Sequence, residues 1–184
     1  MAKASREEDI LELFFQMPTK QWHFSEIKRI IPIADNKISR WLKTFNNQKL
    51  IKKIKNKNKM PYYISSYENP EYQNKKRIHA MKTFHKTGFL NHLSSLKDAK
   101  TVIIFGSYSR WDWHKDSDID IFIYGDDQGL KLKEYSGILK KEIQLFTCKN
   151  KGEVQKLSGE LLKNIIKGEI IKGDIDFIEV KASA

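Results

Sequence analysis

TVIIFGS (Thr101–Ser107) and, ten residues further on, DIDIFIY (Asp118–Tyr124) decide how this chain is read. Each is a short β-branched and aromatic run of strand type. The first ends in Gly106-Ser107, and the second opens on Asp118-Ile119-Asp120. Residues i and i+2 of a strand share a face, so Asp118 and Asp120 project together while Ile119 and Ile121 point into a core. Two carboxylates placed in this way repel each other unless a cation lies between them. Hard oxygen donors suit Mg2+ (or Mn2+), which keeps several waters and bridges to phosphates. Gly106 lets a phosphate approach the backbone closely, and Ser107 adds a hydroxyl donor. Arg110 and Lys115, in the intervening loop, can neutralise further phosphate charge. A D-x-D pair alone is a weak signal. The second one, Asp174-Ile175-Asp176, has no Gly-Ser partner upstream and is given no role.

The complete pattern, Gly-Ser, ten residues, D-x-D, with a strand on each side, resembles the DNA polymerase beta-type nucleotidyltransferase superfamily. The spacing is that of its minimal nucleotidyltransferase branch. The resemblance runs from Lys100 into the C-terminal region. It implies that Gly106 and Ser107 hold a nucleotide's phosphates and that Asp118 and Asp120 are the catalytic, metal-binding pair. It also implies ATP or another nucleoside triphosphate as substrate or ligand, with a hydroxyl as acceptor. The family carries a third carboxylate on a following strand, in an apolar-Asp-apolar-apolar string. Here that string is Ile143-Gln144-Leu145-Phe146, so Gln144 stands at the acidic position. A glutamine neither binds metal as an anion nor takes a proton from an attacking hydroxyl. Glu142, two residues earlier on the same strand face, is the candidate substitute. Nucleotidyltransferases of this spacing often act as antitoxins on a separate HEPN toxin, so a toxin-type protein is an implied partner.

Upstream, REEDILELFFQM (Arg6–Met17) places Ile10, Leu13, Phe14 and Met17 on one helical face, with Ser5 and Glu8 as a capping box. FSEIKRII (Phe24–Ile31) predicts a short helix capped by Ser25, with Ile27, Ile30 and Ile31 inward, ended by Pro32. DNKISRWLKTFNN (Asp35–Asn47) predicts a third helix, capped by Asp35, with Ile38, Trp41, Leu42 and Phe45 inward. Leu50-Ile51, the run KKIKNKNK (Lys52–Lys59) and Tyr62-Tyr63-Ile64 then form a hairpin with a basic tip. This order resembles a winged helix-turn-helix. On that reading Asn36, Lys37, Ser39, Arg40 and Lys43 face base edges and phosphates of double-stranded DNA, while Lys55, Lys57 and Lys59 lie along its backbone. Such domains often dimerise on palindromic sites, so a homodimer is expected.

The fold class expected is α+β in three parts. Residues 1–66 form the winged helix, of three helices and a β-hairpin. Residues 67–98 form a helical connector of one long helix or two short ones, interrupted near Gly88. Residues 99–184 form a small α/β nucleotidyltransferase-fold domain with a mixed sheet. His79, His85 and His92 lie in the connector at spacings that do not suit a shared metal. Trp111, Trp113 and His114 lie in the loop between the motif halves and are read as packing groups. Leu161, Leu162, Ile165 and Ile166 are expected inward on a late helix that Gly168 caps.

Charge agrees with this division. The chain of 184 residues carries 34 Lys+Arg against 23 Asp+Glu, a net +11. Residues 1–66 hold +8 of it, and residues 67–184 are nearly balanced. The basic excess therefore belongs to the DNA-binding half, whereas the motif residues of the other half are acidic. The 40 % apolar content excludes wholesale disorder. The single cysteine, Cys148, excludes an internal disulfide and fits a reducing, cytoplasmic setting. No apolar run reaches a membrane span's length, and MAKASREEDI does not read as a signal peptide. Three functions stay open at this level: nucleotidyl transfer, a regulator that binds a nucleotide without turnover, and an antitoxin-type transferase.

Overall fold

In the computed structural model, which describes residues 6–178, helix α1 (Arg6–Gln16) opens the first of two units, which divide between Lys76 and Arg77. Its buried face is Ile10, Leu11, Phe14 and Phe15. Leu13 and Met17, expected inward, are only half-buried, because the core contacts the helix one residue around from the i, i+3, i+4 stripe. Ser5 lies outside the described residues. Strand β1 (Trp22–His23) precedes helix α2 (Phe24–Ile30). The cap of α2 is His23 and not Ser25. The Glu26 carboxylate accepts from the His23 N–H at 2.9 Å, which holds the Glu26 carboxyl below its usual range. Ile27 and Ile31 are buried, but Ile30 is 48 % exposed.

Helix α3 (Asp35–Asn47) is capped by Ala34, and Asp35 instead pairs with Lys28 at 2.8 Å. Ile38, Leu42 and Phe45 are buried. Trp41 is half-buried, with the Arg40 guanidinium 6.0 Å from its ring. Strands β2 (Ile51–Ile54) and β3 (Tyr62–Ser65) form the hairpin. β1 adds to it, giving an antiparallel sheet ordered β1-β3-β2. The carbonyl of Phe14 accepts from the Ser65 hydroxyl at 3.0 Å and from the Tyr72 hydroxyl at 2.8 Å, tying α1 to the hairpin and to the chain that leaves it. Phe14, Phe15, Trp22, Leu42 and Phe45 are all buried in this unit. Truncating one such aromatic costs about 3–5 kcal/mol.

Helix α4 (Pro70–Lys86) runs through the division between the units. Gly88, at φ +77°, breaks the connector before helix α5 (Phe89–Ser94). Thus the connector is one long helix and one short one. Ile78 is 62 % exposed, whereas Phe84 and Phe89 are buried and meet edge-on at 5.6 Å.

The second unit continues with β4 (Ala99–Phe105), the single-turn helix α6 (Ser107–Arg110), β5 (Ile119–Gly125), α7 (Leu132–Leu139), β6 (Ile143–Cys148), α8 (Lys151–Val154), α9 (Gly159–Ile166) and β7 (Glu169–Lys172). The sheet order is β6-β5-β4-β7. β4 runs antiparallel to β5 and β7, and β5 runs parallel to β6, so the sheet is mixed. The two central strands are covered on both faces. Val102, Ile103, Ile104, Ile121, Phe122 and Ile123 are fully buried, which is why these runs are continuously apolar and do not alternate. On one face Ile103, Phe105, Phe122 and Cys148 pack with Val154, Ile165 and Phe177. Leu161 and Leu162 flank that cluster, but Ile166 is largely exposed. Gly168 is not a left-handed cap. A Cβ there would sit 2.5 Å from Ile103 Cγ2 and 2.6 Å from the Ile104 carbonyl, so glycine is needed to let β7 close on β4.

Candidate functional site

The strand pair β4–β5 sets the geometry of the site. β4 ends at Phe105, opposite Asp120. The chain then turns at Gly106, with φ +71° and ψ −144°, a region open to glycine alone. A Cβ on Gly106 would lie 2.0 Å from Asp120 Oδ2 and 2.9 Å from its Cγ. Gly106 is therefore the wall against which the Asp120 carboxylate rests. Ser107 starts α6, and its side chain is half-buried. Asp118 immediately precedes β5 and Asp120 is its second residue, with Ile119 and Ile121 fully buried between and beyond them. The two carboxylates lie on one face, as the spacing predicts. Burial first, and then the Asp118 charge, pushes the Asp120 carboxyl above its usual range. The Arg110 guanidinium opposes that shift. Arg110 also reaches Asp112 Oδ2 at 3.4 Å from both its Nε and Nη2.

The parallel strand β6 brings Gln144 into register with Asp120. Its amide Nε2 donates to Asp118 Oδ2 at 2.7 Å. The side chain at the third-carboxylate position is thus a neutral donor bonded to one of the two acids. Glu142 precedes β6; its carbonyl accepts from the Ile119 N–H at 2.9 Å. Among the described residues no group of three His, Cys, Asp or Glu side chains is placed to hold a metal ion, so Glu142 is not gathered with the two aspartates.

Asp118 and Asp120 are two hard oxygen donors whose mutual repulsion a cation would relieve. Magnesium that arrives on a nucleotide needs one or two protein carboxylates and keeps waters on its other sites. The pair fits one such ion. A second ion shared among three carboxylates does not fit, because Gln144 is neutral.

Of the residues singled out for phosphate, the structure brings Gly106 and Arg110 to the aspartates. Lys115 is exposed on the loop and makes no ion pair with either. Sequence spacing gave no sign of Lys141, whose ammonium donates to the His114 carbonyl at 3.0 Å and to the Lys115 carbonyl, pinning the loop that leads into Asp118. Within that loop, the His114 N–H donates to Ser117 Oγ at 2.8 Å. Trp113 is buried and stacks on Tyr108, with centroids 5.2 Å apart and planes 1° from parallel. It is a packing group, as expected, and holds α6 beneath the loop. Trp111, at φ +79°, ends α6 half-buried.

In the first unit Asn36, Lys37, Ser39, Arg40 and Lys43 are all exposed, on the side of α3 opposite Ile38, Leu42 and Phe45. Lys55, Lys57 and Lys59 are exposed between β2 and β3. No helix among the described residues is long and apolar enough to cross a membrane.

The family model described as Polymerase beta, Nucleotidyltransferase matches residues 90–178. That stretch contains the whole four-stranded sheet and every residue of the acidic site. The C-terminal region is accordingly a nucleotidyltransferase-fold domain. No curated protein matches the chain. Among solved structures, the crystal structure of a mutant of the toxin–antitoxin MntA–HpeT is similar at 17 % identity and a TM-score of 0.33, over 55 % of this chain and 73 % of that one.

Proposed function

We propose that the nucleotidyltransferase-fold domain binds a magnesium–nucleoside triphosphate, ATP or another, as a ligand it does not turn over. We propose further that the first unit binds double-stranded DNA, so that the chain acts as a nucleotide-sensing transcriptional regulator. One observation carries the first half: the Gln144 amide donates to Asp118 where transfer chemistry needs a third carboxylate. Nucleotidyl transfer to a hydroxyl requires a group that accepts the hydroxyl's proton. An amide has no such capacity, and Asp118 already accepts the Gln144 N–H. What the site keeps is suited to binding. Gly106 offers backbone without a side chain, Ser107 a hydroxyl, and Arg110 a cation beside Asp120. The aspartates are the pair that would hold magnesium, which when bound neutralises charge between them and the phosphates.

The second half is supported by the exposed polar and basic face of α3 and the three-lysine tip of the hairpin. Cations on such surfaces displace condensed counterions from the DNA backbone.

Calorimetric titration with Mg-ATP, run beside an assay for pyrophosphate release and label transfer, tests the nucleotide half. Saturable binding that is lost in Asp118→Ala and Asp120→Ala, with the nucleotide recovered intact from wild type, is expected. Release of pyrophosphate by wild type, abolished in both variants, would overturn the reading and establish nucleotidyl transfer. Polarisation titrations against double-stranded genomic fragments test the DNA half, and binding that is absent or insensitive to salt would sink it.

A further inference from the structure

The first unit holds a cavity of about 440 Å³ lined by none of the residues assigned above to DNA or nucleotide. The volume falls within the roughly 300–1,000 Å³ of small-molecule sites. Its wall joins the last turn of α3 at Asn46 to Lys49, strand β2 and Ser66. Three cations, Lys49, Lys52 and Lys53, line it and no carboxylate does. None of the three is in an ion pair, and Lys53 lies over the Tyr63 ring at 5.9 Å.

The remaining polar groups have one sign as well. The Asn46 side-chain oxygen accepts from the Lys53 N–H at 3.0 Å. Asn69, also in the wall, uses its oxygen to accept from the Glu71 N–H at 2.9 Å. Both amides therefore have their NH2 groups left to donate. Ser66 is 3 % exposed, and its hydroxyl has no hydrogen-bond partner. Such a group is costly to leave unmatched and invites an acceptor. Ile51 and Ile54 supply apolar wall. The pocket is thus open and mostly apolar in its wall, with cations and hydrogen-bond donors around it.

From this arrangement we propose that the cavity is a binding site for a small organic phosphate, with the dianionic head among the lysines and amides and the apolar body against Ile51 and Ile54. Lysine ammonium groups, from Lys49 and from β2, match a phosphate dianion better than a single carboxylate. The site is separate from the acidic site of the other unit, and the proposal stands whether or not the readings above hold.

The test is an amide-resolved NMR titration of the full chain with phenyl phosphate, inorganic phosphate and neutral benzyl alcohol. Phenyl phosphate is expected to move the amides of Lys49–Ile54 and Ser66 saturably, with benzyl alcohol leaving them in place. Lys49→Ala with Lys52→Ala should weaken binding at least tenfold, and Lys49→Arg with Lys52→Arg should retain it. Both lysines are exposed, and spectral dispersion reports directly on folding of each variant. Absence of saturation at these amides, equal binding by benzyl alcohol, inorganic phosphate as tight as phenyl phosphate, or unchanged affinity in the alanine variant would each overturn the proposal.

Discussion

Gly106→Ala should damage both the fold and the site, by an amount the structure allows to be estimated. Two costs combine. The backbone at φ +71°, ψ −144° is a glycine conformation, and forcing alanine into it costs about 1–3 kcal/mol. The new Cβ also meets Asp120 Oδ2 at 2.0 Å, so the carboxylate must swing away by more than an ångström against a strand end fixed by buried Ile119 and Ile121. Together these predict a loss of about 3 kcal/mol, or ~10–20 °C in the melting temperature of a domain of roughly 100 residues. Magnesium-nucleotide binding should be lost too, because the displaced group is one of the two acids. The assay is calorimetric melting of wild type, Gly106→Ala, Asp120→Ala and the double variant, arranged as a cycle. Asp120→Ala removes the atoms at 2.0 and 2.9 Å and leaves only the Asp120 Cβ at 3.3 Å. The double variant should therefore recover the steric part of the loss and keep the backbone strain. Melting of Gly106→Ala within 1 °C of wild type refutes the close approach, and a double variant no more stable than Gly106→Ala refutes Asp120 as the clashing group.

Gln144→Asp replaces the donor beside Asp118 with a third carboxylate. It should lower stability without metal and tighten Mg2+ binding about tenfold or more, read by calorimetry; equal affinities would mean that position 144 does not address the metal. His92 should make stability depend on pH. Its ring Nε2 accepts from the Lys131 N–H at 3.0 Å and its face stacks on Tyr135, while burial and then the Lys131 charge hold its proton affinity below the usual 6.5, with Glu134 opposing. A histidine of lowered pKa gives its full contribution above 6.5, and this is lost as pH falls through that value toward the native one. Melting from pH 8 to pH 5 should therefore show a steeper decline for wild type than for His92→Gln, and identical profiles would remove His92 from the account. Removing the hairpin-tip charges in Lys55→Ala, Lys57→Ala, Lys59→Ala together should flatten the log–log salt dependence of DNA binding by about 2.7, at ~0.9 per phosphate contact. An unchanged slope would show that the tip does not touch the backbone.

Much of the architecture is legible in the sequence because it rests on local patterns. The period-2 placement of Asp118 and Asp120 needs only strand geometry, and both carboxylates do share a face. The same holds for Ile38, Leu42 and Phe45 on α3, which repeat at the helical period and are buried. The errors fall where the tertiary environment chose among residues that local pattern treats alike. Ile30 follows the helical period expected to face inward but is 48 % exposed. Trp22-His23 is too short to signal a strand, and it became one only because β3 offered a free edge.

Local pattern alone marks a Gly-Ser and paired-aspartate constellation between two buried strands, with a basic helix-and-hairpin segment ahead of it. It also showed that glutamine stands where a third acid is expected. Tertiary structure decided what that glutamine does. The parallel pairing of β6 with β5 sets Gln144 against the acidic pair, and its amide hydrogen-bonds to Asp118. Tertiary structure likewise decided that Gly106 is shaped around Asp120, that Lys141 pins the loop before Asp118, and that Lys115 is exposed without an ion pair to either acid. The physical reason is the range of the interactions. Side-chain period and caps act within a few residues and are written in order along the chain. The register between strand residues 24 apart depends on how α7 and its loops carry the chain between them, and no spacing rule holds that information.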